Sequence, residues 1–148
     1  MDNVLFSSKS IEWETPQWLF DQLDKEFNFT LDSCATRENA KCKKYFTKEM
    51  DVLKQDWTGE TAYCNPPYGR EAKHWVEKAH KEAQKGSTVV MLIPARTDTT
   101  WFHTYIYGQA EIRFLKGRLK FGSSINSAPF PSMVVIFRKE ATNELRQL

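Results

Sequence analysis

The 148-residue chain holds no long apolar run. A membrane-crossing helix needs about twenty consecutive apolar residues, so none is expected here. Residues 1–11 also lack such a run, and no signal peptide is expected. Cysteine is limited to Cys34, Cys42 and Cys64, an odd number without Cys-x-x-Cys spacing. That pattern argues against a disulfide framework and a zinc knuckle, and it fits reduced thiols in a cytoplasm. No metal site is expected. There is no glycine-rich loop of the nucleotide-binding kind, so any cofactor must be held by other means. No excess of one charge sign is present either. The net charge of +2 permits a nucleic-acid partner without demanding one. The length bounds the chain at one domain, 1–148, with a loose arm over 1–12 and a polar tail over 139–148.

Aromatic residues are abundant. At 14% of the chain, with five tryptophans, they make either a dense core or platforms on which bases stack. Proline, though scarce, is concentrated where it matters. Thr61-Ala62-Tyr63-Cys64 is a short apolar strand that runs into Asn65-Pro66-Pro67-Tyr68-Gly69. Two prolines in succession have fixed φ and no N–H, so neither strand nor helix continues through them. Asn65 precedes proline and is biased to extended geometry. The strand therefore delivers an amide, a ring and bare carbonyls to its carboxyl end, where ligands bind in open α/β sheets.

The remaining chain alternates strand and helix patterns. Thr15 suits a helix N-cap and Pro16 the first helical position, with Leu19, Phe20, Leu23 and Phe27 as the apolar face. Residues 27–31 alternate apolar and polar and read as a strand ending at Asp32, which is either a cap or a ligand contact. Residues 45–47 read as a brief strand. Asp51 and Asp56 follow, and the loop holding Asp56 and Trp57 is expected to flank the crevice of the Asn-Pro-Pro-Tyr strand. Residues 70–85 read as a helix ended by Gly86. Residues 87–93 make an apolar β-branched strand stopped by Pro94. Arg96 and Trp101, past its carboxyl end, are candidates for phosphate and base contact. Thr97 or Asp98 could cap a short helix through Tyr107. Residues 110–115 read as a strand. Lys116 to Phe121 alternates basic and apolar and is either an edge strand or a phosphate-binding ridge. A loop over 122–131 and a last strand over 132–137 complete the chain. Strand, helix, strand in this order is the βαβ pattern of a parallel sheet.

Taken together, Trp13-x-Thr15-Pro16, Leu31-Asp32-x-Cys34-Ala35, Asp51, Asp56-Trp57, the Asn65–Gly69 string, Ile93-Pro94-Ala95-Arg96, Gly117-Arg118 with Phe121, and Pro129-Phe130-Pro131-Ser132 resemble the small phage-type DNA N6-adenine methyltransferases. The resemblance implies a Rossmann-like methyltransferase domain, mostly parallel, with helices on both faces and a reversed last strand. It implies S-adenosylmethionine as methyl donor and adenine in DNA as acceptor. Asn65, Pro66, Pro67 and Tyr68 would then hold the target amino group and base. Trp13, Thr15, Pro16, Asp32, Cys34, Ala35, Asp51 and Asp56 would line the cofactor. Arg96, Trp101, Arg118, Lys120 and Phe121 are the residues expected to contact DNA. A homodimer or partner subunit would suit so small a chain. An RNA base or protein glutamine as acceptor, and a binding module without turnover, are the competing readings.

Overall fold

The computed structural model describes residues 13–139. The expected arm over 1–12 and the tail beyond 139 lie outside the described residues. Five strands form one open mixed sheet: β1 (Leu31–Asp32), β2 (Thr61–Cys64), β3 (Thr88–Pro94), β4 (Glu111–Phe114) and β5 (Ser132–Phe137). Their order is β1-β2-β3-β5-β4. The first three pair in parallel, and β5 runs antiparallel to both β3 and β4. β5, the last strand, is thus the reversed one, and the other four share a direction.

Side-chain alternation along the strands divides the core in two. Tyr63, Val90, Leu92, Val134 and Ile136 face the helix α1 (Gln17–Phe27), meeting its Leu19, Phe20 and Leu23. Ala62, Cys64, Val89, Met91, Ile93 and Val135 face the other way, against Trp75, Val76, Ala79 and Ala83 of α2 (Ala72–Gln84). One long helix therefore covers each face. The central strand β3 has to be apolar on both sides, which is why residues 89–93 are an unbroken hydrophobic run, all buried.

Several local expectations change. Thr15 does not cap α1. Pro16 holds the N-cap position, and its carbonyl accepts the Leu19 and Phe20 amides at 3.1 and 3.2 Å. The Thr15 hydroxyl is instead bonded to the buried Tyr63 hydroxyl. The strand expected over 27–31 shrinks to Leu31–Asp32. α1 runs on to Phe27, and Asn28 ends it in the left-handed region at φ 54°, a conformation asparagine tolerates. Phe29 then returns its amide to the Asp24 carboxylate at 2.9 Å. The strand expected at 45–47 is a single parallel bridge from Tyr45 to Asp32.

α2 starts two residues later than expected and ends at Gln84, with Gly86 just past the C-cap Lys85 at a φ of 107° that favours glycine. Beyond β3, Thr99, not Thr97 or Asp98, caps the next turn, its hydroxyl accepting the Phe102 amide at 3.2 Å. That turn widens to π-helix over Phe102–Ile106, with the Tyr107 amide bonded to the Phe102 carbonyl at 2.8 Å. Residues 116–121 are not an edge strand. β4 stops pairing at Phe114, and the segment drapes over the α1 face with Leu119 and Phe121 buried.

Candidate active site

The parallel strands β1, β2 and β3 all end at one edge of the sheet, and the site forms there. At the end of β2 the prolines release the backbone from the sheet at Asn65. Its side chain is held at both ends. The amide nitrogen donates to the Trp13 carbonyl at 2.6 Å. The amide oxygen accepts the Tyr68 hydroxyl at 2.7 Å, and that hydroxyl also lies 3.3 Å from the Leu92 carbonyl. These bonds fix which end of the amide is acceptor. A carbonyl oxygen has two lone pairs, so one remains for a further donor. The neighbouring Pro66 carbonyl accepts no hydrogen bond among the described residues.

Tyr68 sits in an aromatic cluster. Its ring is nearly parallel to Trp13, with centroids 6.4 Å apart and planes 28° apart. Phe130 meets it edge-on at 5.6 Å and Phe121 at 6.2 Å. Phe121, expected to touch DNA, is only 1% exposed and forms the floor of this cluster. Its placement follows from the alternation of residues 118–121, where the apolar members turn inward and Arg118 and Lys120 outward.

Beside Asn65 lies a narrow cleft of about 30 Å³ lined by Glu14, Thr15, Asp32, Cys34, Asn39, Lys41, Tyr63 and Asn65. Asp32 is its electrostatic centre. The carboxylate is 3% exposed and accepts the backbone amides of Lys41 at 3.0 Å and Cys34 at 3.3 Å. Burial raises its pKa to about 6 despite those bonds, because desolvation penalises the charged form more than two amides restore it. The same burial, with the Asp32 charge, pushes the Cys34 and Cys42 thiols up to about 12, so both are neutral thiols. Asn39 braces the loop by exchanging bonds with Thr36: its side-chain oxygen accepts the Thr36 amide at 2.7 Å, and its own amide donates to the Thr36 hydroxyl at 3.1 Å. Glu14, Asn39, Lys41 and Tyr63 were not among the expected cofactor residues. Tyr63 was legible, since it stands two residues before Asn65 on the same strand.

Trp13, Thr15, Asp32, Cys34 and Asn65 are thus brought together, and Pro16 and Ala35 adjoin them, both buried. Asp51 follows the bridge at Tyr45, beyond the carboxyl end of β1. It is exposed, in the left-handed region at φ 52°, and pairs with Lys54 at 3.6 Å. Asp56 is elsewhere. It bonds the Thr58 amide at 3.0 Å and Lys85 at 3.2 Å, beside the carboxyl end of α2 and the start of β2. A four-residue strand spans about 13 Å, so a residue preceding β2 faces the opposite edge of the sheet from Asn65. Sequence adjacency to the strand was misleading for that reason. Arg96 does follow the carboxyl end of β3 and is exposed, while Trp101 is partly buried against the α2-side core.

A comparison with known families now bears on this geometry. The family described as DNA N-6-adenine-methyltransferase (Dam) matches residues 4–146. The chain belongs to that family. Two phage relatives carry the name DNA N-6-adenine-methyltransferase. The protein of Haemophilus phage HP1 (strain HP1c1) is 31% identical over 147 residues, covering 94% of this chain and 84% of its own length. That of Escherichia phage T1 is 27% identical over 157 residues, covering 91% and 66%. A putative methyltransferase, YfdM of Escherichia coli (strain K12), is 36% identical over 64 residues, 38% of this chain and 70% of its own. Membership of the Dam family assigns this chain methyl transfer to the N6 position of adenine in DNA. The Asn65–Tyr68 turn and the Asp32 cleft lie together at the carboxyl ends of the parallel strands β1 and β2.

Proposed function

We propose that the chain takes the methyl group from S-adenosylmethionine, bound in the Asp32 cleft, and that Asn65 and Pro66 receive the adenine amino group on a Rossmann-like methyltransferase scaffold. The observation that carries this reading is the Asn65 amide, locked with its oxygen toward the turn and set beside a buried carboxylate at the end of a parallel strand.

The donor set of the cleft fits such a cofactor. Asp32 offers a desolvated carboxylate to an ammonium, and Asn39 and Thr15 offer neutral polar atoms to the rest of an amino-acid moiety. The cleft as it stands, about 30 Å³, has room for a water or two rather than a whole nucleoside. When bound, S-adenosylmethionine supplies an electrophilic methyl on a positively charged sulfur.

The adenine amino group is a poor nucleophile because its lone pair is delocalised into the ring. Two acceptors aimed at its hydrogens localise that pair. The free lone pair of the Asn65 oxygen and the Pro66 carbonyl are such a pair of acceptors. Both are fixed before the reaction, the first by Trp13 and Tyr68 and the second by proline geometry, so they cost no reorganisation. The proton lost from nitrogen after transfer passes to water, since amide oxygens accept its hydrogen bond but are too weakly basic to keep it. Tyr68 acts as a neutral phenol; burial keeps its pKa well above the usual value. It therefore serves as a donor to Asn65 and as an aromatic wall for the base. A base in a duplex must leave the stack to reach this turn.

The test is an endpoint assay. Protein, S-adenosylmethionine and unmethylated DNA are incubated, and the DNA is digested to nucleosides for mass spectrometry. N6-methyladenine that vanishes in Asn65→Ala supports the reading. Equal yields from both proteins overturn the role of Asn65, and methylation found only when RNA or protein replaces the DNA overturns the acceptor.

A further inference from the structure

On the α1 face, a separate cavity of about 420 Å³ opens between the first half of α1 and the segment following β4. Its walls include Trp18 and Gln22 from the helix and Lys116, Arg118 and Lys120 from the segment. Trp18 is 60% exposed, although it is one of the largest apolar side chains and has a core available one residue away at Leu19. The three cations are exposed, none is in an ion pair among the described residues, and no carboxylate lines the cavity. The cavity adjoins the candidate active site. The segment runs directly from Lys120 into Phe121 beneath Tyr68, and the Leu115 amide bonds the Ser132 carbonyl at the edge of the sheet where β3 ends.

We propose that this groove seats the sugar–phosphate backbone of the DNA strand carrying the target adenine, with Trp18 stacking on a nucleotide drawn out of the base stack. The inference rests on the reading of the chain as a DNA methyltransferase and adds the place where the strand runs. Arg118 and Lys120 are both exposed with the buried Leu119 between them, and two residues of extended chain span about 6–7 Å, which suits successive phosphates. Unpaired cations bind phosphates by releasing counterions, and an exposed indole beside them gives each passing base a surface on which to stack. An acidic or apolar partner protein would leave one of these two features unused. Trp18 and Lys116 thereby join Arg118 and Lys120 as DNA contacts.

The experiment is fluorescence anisotropy of a labelled mixed-sequence DNA duplex over a range of salt concentrations, alongside calorimetric titration of S-adenosylmethionine. Replacing Lys116, Arg118 and Lys120 together by alanine is expected to reduce the slope of log affinity against log salt by about 2–3, near 0.9 for each lost phosphate contact. Trp18→Ala is expected to weaken DNA binding roughly ten-fold with a smaller change in slope, as loss of one stacked base does. Lys81→Ala, on the opposite helix, serves as control and should leave the slope unchanged. All five positions are exposed, so the variants should fold. Unchanged affinity and slope in both groove variants would overturn the proposal, as would wild-type protein that binds no DNA. A groove variant that alters the sedimentation coefficient but not DNA affinity would also overturn it, marking the face as a self-interface. The methylation reading fails separately: DNA binding that responds as expected without any N6-methyladenine would leave the groove standing and remove the reaction.

Discussion

The Asn65 side-chain nitrogen donates to the backbone carbonyl of Trp13 at 2.6 Å, across 52 positions of sequence. The bond ties the entry to α1 to the end of β2 and leaves the oxygen, not the nitrogen, as the end of the Asn65 amide presented to the turn beside the Pro66 carbonyl. The Trp13 backbone thus holds the Asn65 amide, while the Trp13 ring packs on Tyr68. Replacement of Asn65 by alanine should lower kcat by about 10²–10³-fold, the usual cost of losing one fixed transition-state partner. Asn65→Asp keeps an acceptor oxygen but sets a carboxylate against the Trp13 carbonyl, so its activity should fall between the two. Single-turnover methylation with both proteins at saturating cofactor checks the order.

Cofactor affinity should depend on pH through Asp32. Its pKa is raised to about 6 by burial, so the carboxylate that would attract an ammonium forms only as pH rises through that value. Binding of S-adenosylmethionine, measured by calorimetry between pH 5 and 8, should tighten up to about pH 7 and then level off. Asp32→Asn should bind weakly at every pH and lose this dependence. The same raised pKa means that the ionised carboxylate disfavours folding: relative to the unfolded chain, its cost is absent below pH 4 and complete above pH 6. Asp32→Asn should therefore be no less stable than the native protein at neutral pH in urea unfolding.

Thr15 and Tyr63 share one buried hydrogen bond, at 5% and 1% exposure. Removing either hydroxyl strands the other in the core. Thr15→Val and Tyr63→Phe should each cost about 1–3 kcal/mol in urea unfolding, and the double variant clearly less than their sum. Additive costs would show that the two hydroxyls do not depend on each other.

Glu82 anchors the opposite edge of the sheet. It is 2% exposed, accepts the Trp57 amide at 2.7 Å, and pairs with Lys85 at 2.7 Å and Lys78 at 3.1 Å. Desolvation alone would raise its pKa, but the bonds from Lys85, the Trp57 amide and Lys78 outweigh it and hold the carboxyl below its ordinary value. A depressed folded pKa contributes stability above the unfolded value near 4.5, and that stability is lost as pH falls through the folded one. Glu82→Ala should destabilise by about 3 kcal/mol at pH 7, since it leaves Lys78 and the Trp57 amide unpaired. The difference from native protein should narrow in acid.

Asp56 tests which edge of the sheet holds the cofactor. It lies beside Lys85 and far from Asn65. Asp56→Ala should bind S-adenosylmethionine with unchanged affinity, measured in parallel with Asp32→Asn. A ten-fold loss would relocate the cofactor.

Much of the scaffold was readable from local pattern. Residues 89–93 had to be a doubly covered strand because nothing in them tolerates water on either face. The amphipathic periods of 17–23 and 72–83 fixed the two helices, and the double proline fixed where β2 ends. Phe27–Leu31 misled because alternation over five residues also fits a helix end followed by a left-handed turn, and the Asp24 carboxylate decided between them. Thr15 misled because its hydroxyl had a partner, Tyr63, 48 positions away that no local rule contains.

The sequence by itself determined the family, the alternating strand and helix pattern and the sharp turn at Asn65–Tyr68, because these reside in short strings whose φ restriction and residue types act locally. Only the tertiary structure decided which acidic residue shares the edge of the sheet with Asn65. Asp32 and Asp56 are both carboxylates near short strands, but one ends a parallel strand and the other precedes one. Strand direction in the assembled sheet, which is set by long-range pairing, carries them to opposite edges. It also decided the fate of the aromatics, burying Trp57 and Phe121 and leaving Trp18 in water.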